Sequence, residues 1–200
     1  ERWLAEDLPA LANTGARVVA SIWGRSVDDY RQAAEQLADA PQNVVAVEVN
    51  LSCPNLEGRG AIFAHDPALS AQVVGATAGC GRPRWAKLSA NTDRIVEVAA
   101  AVHEAGAEAV TLVNTVQATL PDDERGGPRF GGGGGGLSGP AIHPVAIRCV
   151  YAVRAAHPDL PIVGVGGVTD AATALDLLAA GASAVQVGTA LLRADEAGTN

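Results

Sequence analysis

Cysteine is scarce in this 200-residue chain: Cys53, Cys80 and Cys149 are odd in number and far apart. That spacing excludes a disulfide framework and a Cys-x-x-Cys zinc or redox pair, and it fits a reducing compartment. Long apolar runs are missing too. None approaches the roughly 18–20 residues needed to cross a bilayer, and Glu1-Arg2-Trp3-Leu4-Ala5-Glu6-Asp7 is charged where a signal peptide would be apolar. A soluble, cytoplasmic protein is the expectation. Basic residues are in the minority, 14 Lys and Arg against 22 Asp and Glu, which gives a net charge of −8 and a pI near 4.9. Phosphate backbones and anionic lipids are held by clustered positive charge, so neither nucleic acid nor a membrane surface is an expected partner.

Apolar residues are plentiful, 48% of the chain, enough to bury one substantial core. They recur as β-branched runs at 17–22, 44–50, 84–88, 109–113, 161–165 and 184–188, separated by amphipathic stretches at 27–38, 67–78, 93–105, 144–156 and 170–180. Strands alternating with helices imply a parallel sheet. Gly15-Ala16, Gly106-Ala107 and Gly181-Ala182 each fall between the end of a helix and the start of a strand, where glycine supplies the left-handed turn. The fold class expected is therefore α/β, a (β/α)8 TIM barrel. About six of the eight βα units are present, and roughly 250 residues is usual for the fold. The missing units are expected before Glu1, in a longer chain. Residues 117–136, with Pro121 and a run of glycine from Gly131 to Gly136, are expected to be an irregular glycine-rich loop.

In a parallel barrel the chemistry lies where strands end. The strand ends here carry Asn50-Leu51-Ser52-Cys53-Pro54-Asn55, Lys87-Leu88-Ser89-Ala90-Asn91, Asn114-Thr115, Gly166-Gly167-Val168-Thr169 and Gly188-Thr189. Alternation puts Val45, Val47 and Val49 toward the helices and Ala46, Glu48 and Asn50 toward the axis, with Trp85 and Lys87 sharing one face. Lys87 has three readings: it snorkels, faces an electron-rich ligand, or forms a Schiff base. The glycine turns suit a phosphate held by main-chain amides, or serve tight packing alone. A P-loop and a Rossmann fingerprint are both excluded by their missing residues. Cys53 has polar neighbours, Asn50, Ser52, Asn55 and Glu57, odd company for a core thiol, and a thiolate there can take a proton. Cys80 and Cys149 fit buried core positions better. No second Cys or His lies within metal-ligand spacing of Cys53.

Glu48-Val49-Asn50-Leu51-Ser52-Cys53-Pro54-Asn55 resembles the active-site segment of class 1 dihydroorotate dehydrogenases. Ala86-Lys87-Leu88-Ser89-Ala90-Asn91, Val113-Asn114-Thr115, Gly136-Leu137-Ser138-Gly139-Pro140-Ala141-Ile142, Gly164-Val165-Gly166-Gly167-Val168 and Val187-Gly188-Thr189-Ala190 resemble further segments of that family, in the family's order. The resemblance implies one partial FMN-binding barrel domain over residues 1–200 that oxidises dihydroorotate to orotate in de novo pyrimidine (UMP) biosynthesis. Cys53 would be the base. Lys87 would sit by the flavin and stabilise its reduced form, and Asn50, Asn55, Asn114 and Thr115 would bind the substrate ring. FMN would be held by Ser21, Asn50, Lys87, Val113, Gly139, Gly166, Gly167, Gly188 and Thr189, with no metal.

Within class 1 the segments look closest to the B type, whose catalytic subunit works with a partner carrying FAD and an iron–sulfur cluster and passing electrons to NAD. A homodimer or heterotetramer is implied. Other readings stay open: a dihydropyrimidine dehydrogenase-like flavin reductase, which has His where Asn55 stands; a Schiff-base aldolase using Lys87; and a non-catalytic barrel fragment. Two departures from the family pattern stand out. The substrate-clamping lysine and asparagines of its first barrel units have no counterpart, and residues 60–67 match its Ala-Phe-Gly-x-Asp-Pro only in part.

Overall fold

Valine and isoleucine lose side-chain freedom in a helix and pack well on a pleated surface, so runs of them become strands. In the computed structural model, which describes residues 3–52, 62–122, 126–130 and 133–192, such residues form β1 (Val18–Ile22), β2 (Val44–Asn50) and β4 (Ala109–Leu112), while β3 (Arg84–Lys87), which has neither, lies between β2 and β4 in the sheet. Two short strands follow, β5 (Val116–Ala118) and β6 (Gly135–Leu137), then β7 (Ile162–Val165) and β8 (Ala184–Gln186). Six of these make one sheet in the order β1-β2-β3-β4-β7-β8. The pairs β1–β2, β2–β3 and β7–β8 are parallel. The α/β class expected from the sequence is what is observed.

The helices are α1 (Leu8–Ala12), α2 (Val27–Glu35), α3 (Pro67–Ala76), α4 (Ile95–Glu104), α5 (His143–Ala156) and α6 (Ala171–Ala179). Local chemistry starts several of them. Ser26 and Asp29 form a reciprocal capping box on α2, Asp66 accepts from Leu69 N–H with Pro67 opening α3, and Asp170 and Thr173 cap α6 the same way. Periodicity alone would carry α2 to residue 38. It stops at Glu35 because the last turn tightens, with Leu37 N–H bonding Ala34 O at 3.0 Å and Ala38 N–H bonding Glu35 O at 3.1 Å. Gly15, Gly106 and Gly181 all have positive φ, as helix-ending glycines should.

Contacts divide the chain into two units: residues 1–87 with 97–110, and residues 88–96 with 111–200. In the first, Val44, Val47, Val49 and Ala86 are fully buried, together with Tyr30 and Phe63, whose rings meet edge to face at 5.4 Å. Each fully buried valine contributes roughly 1.5–3 kcal/mol, so the strand core outweighs any single polar contact on its rim. In the second, Ile142, Ala146, Cys149, Val150 and Val153 of the α5 segment and Ile162 and Val163 of β7 are buried.

Residues 117–136 differ from the irregular loop expected. Their ends are paired: β5 runs antiparallel to β6, with Gln117 opposite Gly136 and Ala118 opposite Gly135, and Pro121 bridges Pro128 further out. The glycines allow close approach. A Cβ on Gly136 would lie 2.4 Å from Thr115 Oγ1, and one on Gly134 would lie 3.0 Å from Ala118 O. Glycine, read from sequence as the mark of an irregular loop, here lets one strand pass close against its neighbour.

Candidate active site

In the first unit, polar groups gather at the carboxyl ends of three adjacent strands. Parallel register pairs Ser21 with Glu48 and Asn50 with Lys87. Same-face side chains two residues apart along a strand are separated by roughly 6.6 Å, a gap that the long lysine stem crosses. Lys87 Nζ lies 3.2 Å from Glu48 Oε1, and Ser21 Oγ donates to the same oxygen at 3.4 Å. Glu48 is 5% exposed. A buried carboxylate would be costly alone; paired with an ammonium and a hydroxyl it is compensated. The lysine is thereby held at the strand end with its side chain 20% exposed.

The backbone at Asn50 is fixed from beneath. Tyr30, fully buried, donates its hydroxyl to Asn50 O at 2.5 Å, and Leu51 N–H bonds Lys87 O at 3.1 Å. Asn50 Oδ1 accepts from Ser52 N–H at 3.1 Å, an asparagine bonded to its own turn. Cys53 and Asn55, expected as base and substrate ligand, lie outside the described residues.

The second unit carries the other strand ends. Thr115 N–H donates to Asn114 Oδ1 at 2.8 Å. Asn91 bridges Ser89 Oγ, Thr115 O and Gln117 N–H at 3.0, 3.1 and 2.8 Å. Val113 is buried, its N–H bonds Val165 O at 2.9 Å, and the Leu112–Val113 peptide is cis. Thr189 Oγ1 donates to Ser138 Oγ at 2.9 Å, which brings the Gly139 and Gly188 loops together. The Gly166-Gly167 turn packs on α5. A Cβ on Gly166 would lie 2.9 Å from Ala146 Cβ, and one on Gly167 2.6 Å from His143 Cβ. His143 Nδ1 also bonds Gly166 O at 2.9 Å, and its Nε2 faces Asp176 Oδ2 at 3.4 Å. Gly188 differs, since a Cβ there would meet nothing within 4 Å.

Of the sequence-predicted residues, Ser21, Asn50 and Lys87 converge in the first unit, and Asn114 with Thr115 and Gly139 with Thr189 are brought together in the second. Cys80 and Cys149 are both buried free thiols, and burial pushes the Cys149 thiol up from its ordinary value. No cluster of three His, Cys, Asp or Glu suited to a metal occurs among the described residues.

A family model described as dihydroorotate dehydrogenase matches residues 3–198. The chain belongs to the dihydroorotate dehydrogenase family. Within that family it is 44% identical over 188 residues to the dihydroorotate dehydrogenase B (NAD(+)) catalytic subunit of Bacillus pumilus, covering 94% of this chain and 60% of that one. It is also 44% identical over 190 residues to a putative dihydroorotate dehydrogenase A (fumarate) of Solibacter usitatus, covering 94% of this chain and 62% of that one. The chain thus spans about 60% of the length of the curated relatives it matches. Among solved structures, the dihydroorotate dehydrogenase of Eimeria tenella in complex with ferulenol aligns with a TM-score of 0.65 at 21% identity, covering 83% of this chain and 49% of that one. A likeness at that identity bears on the fold alone.

Three residues that hold these strand ends were assigned no role from sequence. Glu48 was placed on the inner face by alternation, and a carboxylate between Val47 and Val49 was itself a signal that a cation must meet it. Tyr30 gave none beyond its place in an amphipathic helix. Asn91 stood in a recognised motif but carried no assigned role.

Proposed function

We propose that the protein containing this chain oxidises dihydroorotate to orotate, with FMN as hydride acceptor, as the catalytic subunit of a B-type enzyme. The observation that carries the proposal is the Lys87–Glu48 ion pair at the ends of β3 and β2, with Asn50 in register beside Lys87. It supplies a fixed positive charge and an amide where a planar, electron-rich ligand would need them. Membership of the family and the B-type name of a 44% identical relative support the same reading.

The residues present fit a flavin mononucleotide by the chemistry of their donors. Lys87 and Ser21 offer an ammonium and a hydroxyl, and the backbone beside Gly188 has open space that a side chain would fill. Lys87, Ser21, Asn50 and Val113 are assigned to the ring system, and Gly139, Gly166, Gly167, Gly188 and Thr189 to the phosphate, through main-chain amides and the threonine hydroxyl. When bound, FMN supplies the two-electron acceptor that no amino-acid side chain provides. Asn50, Asn55, Asn114 and Thr115 orient the pyrimidine by its amide and carbonyl edges. Cys53 takes the proton from C5 of dihydroorotate. A partner subunit carrying FAD and an iron–sulfur cluster would supply the route for the electrons to NAD.

The aldolase reading needs an uncharged lysine amine, whereas Lys87 is engaged in an ion pair with a buried carboxylate. To separate orotate chemistry from dihydropyrimidine chemistry, the full-length protein is assayed anaerobically with dihydroorotate and with dihydrouracil. Dihydroorotate is expected to be the faster substrate; a clear preference for dihydrouracil overturns the proposal.

A further inference from the structure

Asn91 lies in the connection after β3, on neither strand nor helix, and the function proposed above gives it no task. Its side chain is nevertheless among the most committed in the second unit. One amide donates to Ser89 Oγ at 3.0 Å and to Thr115 O at 3.1 Å, while its oxygen accepts from Gln117 N–H at 2.8 Å. Its own backbone N–H donates to the same Ser89 oxygen at 3.1 Å. Ser89 is fully buried, so the anchor is rigid.

The partners dictate which way the amide faces. Thr115 O can only accept and Gln117 N–H can only donate, so a flipped Asn91 would set oxygen against oxygen and hydrogen against hydrogen. Both amide hydrogens are then spent on protein acceptors. None remains for a substrate, so Asn91 acts through another residue. The residue it grips is Thr115, whose N–H is in turn bonded to Asn114 Oδ1 at 2.8 Å. Ser89, Asn91, Thr115 and Asn114 thus form one hydrogen-bonded chain running from a buried hydroxyl to the two side chains assigned to the pyrimidine.

We infer that Asn91 is a positioning residue for substrate recognition: it fixes the backbone at Thr115–Gln117 so that Asn114 and Thr115 present a preformed amide-reading edge. The inference rests on the proposal that these two residues bind dihydroorotate. A purely structural alternative has Asn91 only closing the root of the β5–β6 ribbon. The two differ in what the protein loses. A positioning role shows as weaker ligand binding at constant flavin content, because the interaction helps substrate and transition state alike.

The test uses the full-length protein with FMN. Orotate affinity, KM and kcat for dihydroorotate, flavin content and hydrogen exchange at residues 115–118 are measured for wild type, Asn91→Ala and Ser89→Ala. Losing two neutral hydrogen bonds that pre-organise the edge should weaken orotate binding and raise KM roughly tenfold, with kcat within about twofold of wild type. Exchange at the Gln117 amide should quicken, and Ser89→Ala should show a smaller loss of the same kind. Wild-type affinity in Asn91→Ala overturns the inference while leaving the substrate assignment intact. Parallel loss of flavin, Tm and affinity overturns it in favour of the structural alternative. If Asn91→Ala does not fold, an unchanged orotate affinity in Ser89→Ala overturns it. A wild-type protein that binds no orotate defeats the substrate assignment and the inference with it.

Discussion

Gly167 and Gly188 both stand in turns assigned to the FMN phosphate, yet an added methyl group separates what they do. At Gly167 φ is +70°, and a Cβ would lie 2.6 Å from His143 Cβ and 3.0 Å from His143 Cα and N. Those last two are backbone atoms of α5 and cannot swing aside. Left-handed backbone costs an L-residue roughly 1–2 kcal/mol, and overpacking a tight contact adds about 1–3 kcal/mol. Gly167→Ala should therefore lose about 2–5 kcal/mol with or without flavin, a fall in Tm of roughly 5–15 °C for a protein of this size class. At Gly188 φ lies outside the left-handed range and a Cβ meets nothing within 4 Å. Gly188→Ala should leave the flavin-free protein as stable as wild type, or about 0.5 kcal/mol better through a less disordered unfolded chain. Its methyl group would occupy space assigned to the phosphate, so FMN affinity should fall at least tenfold. Thermal melts of flavin-free and flavin-loaded full-length protein, with FMN titrations, measure both effects. Wild-type FMN affinity in Gly188→Ala removes Gly188 from the cofactor site. Undiminished flavin-free stability in Gly167→Ala refutes the packing argument.

Two further outcomes are expected. Glu48→Gln leaves the Lys87 ammonium, 20% exposed, without its counter-charge; breaking a fully buried pair costs about 3–5 kcal/mol, so this partly solvated one should cost about 1–3 kcal/mol in urea unfolding, and an unchanged midpoint would show the pair to be idle. Asp29 is held below the usual carboxylate range by the N–H groups of Arg25 and Ser26, and Asp170 by those of Thr173 and its hydroxyl. A depressed folded value means stabilisation present above the unfolded carboxylate value, about 3.9, and lost as pH falls through the folded one. The urea midpoint should drop below about pH 4, less steeply in a variant carrying Asp29→Asn and Asp170→Asn; identical slopes would remove these caps from the acid response.

The strands and helices were legible because their signals are local. Val44–Asn50 is read as a strand from its apolar, β-branched run, and the β2 found has the same limits. The β5–β6 ribbon was not legible, because glycine signals a loop in any single-chain reading. Here its value lies in what it avoids, a clash with Thr115 that only the folded chain brings near. The candidate site divides in the same way. Lys87 and Asn50 stood out as polar groups at strand ends, but the partner of Lys87 lies 39 residues away, and only the parallel register of β2 and β3 shows that Glu48 meets it. Asn50 and Asn114 were expected to face a ligand, and nothing in their neighbours announced that each would also bond its own turn. That choice depends on backbone geometry, to which residue type alone is blind.

The proposed reaction couples proton removal by the Cys53 thiolate to hydride loss from dihydroorotate. Its most direct test is the visible flavin band of the full-length protein, followed anaerobically after adding dihydroorotate, in wild type and in Cys53→Ala. The band should bleach rapidly in wild type and persist in the variant, with both proteins equally yellow at the start. Equal bleaching rates in the two, or no bleaching in wild type, would contradict the account.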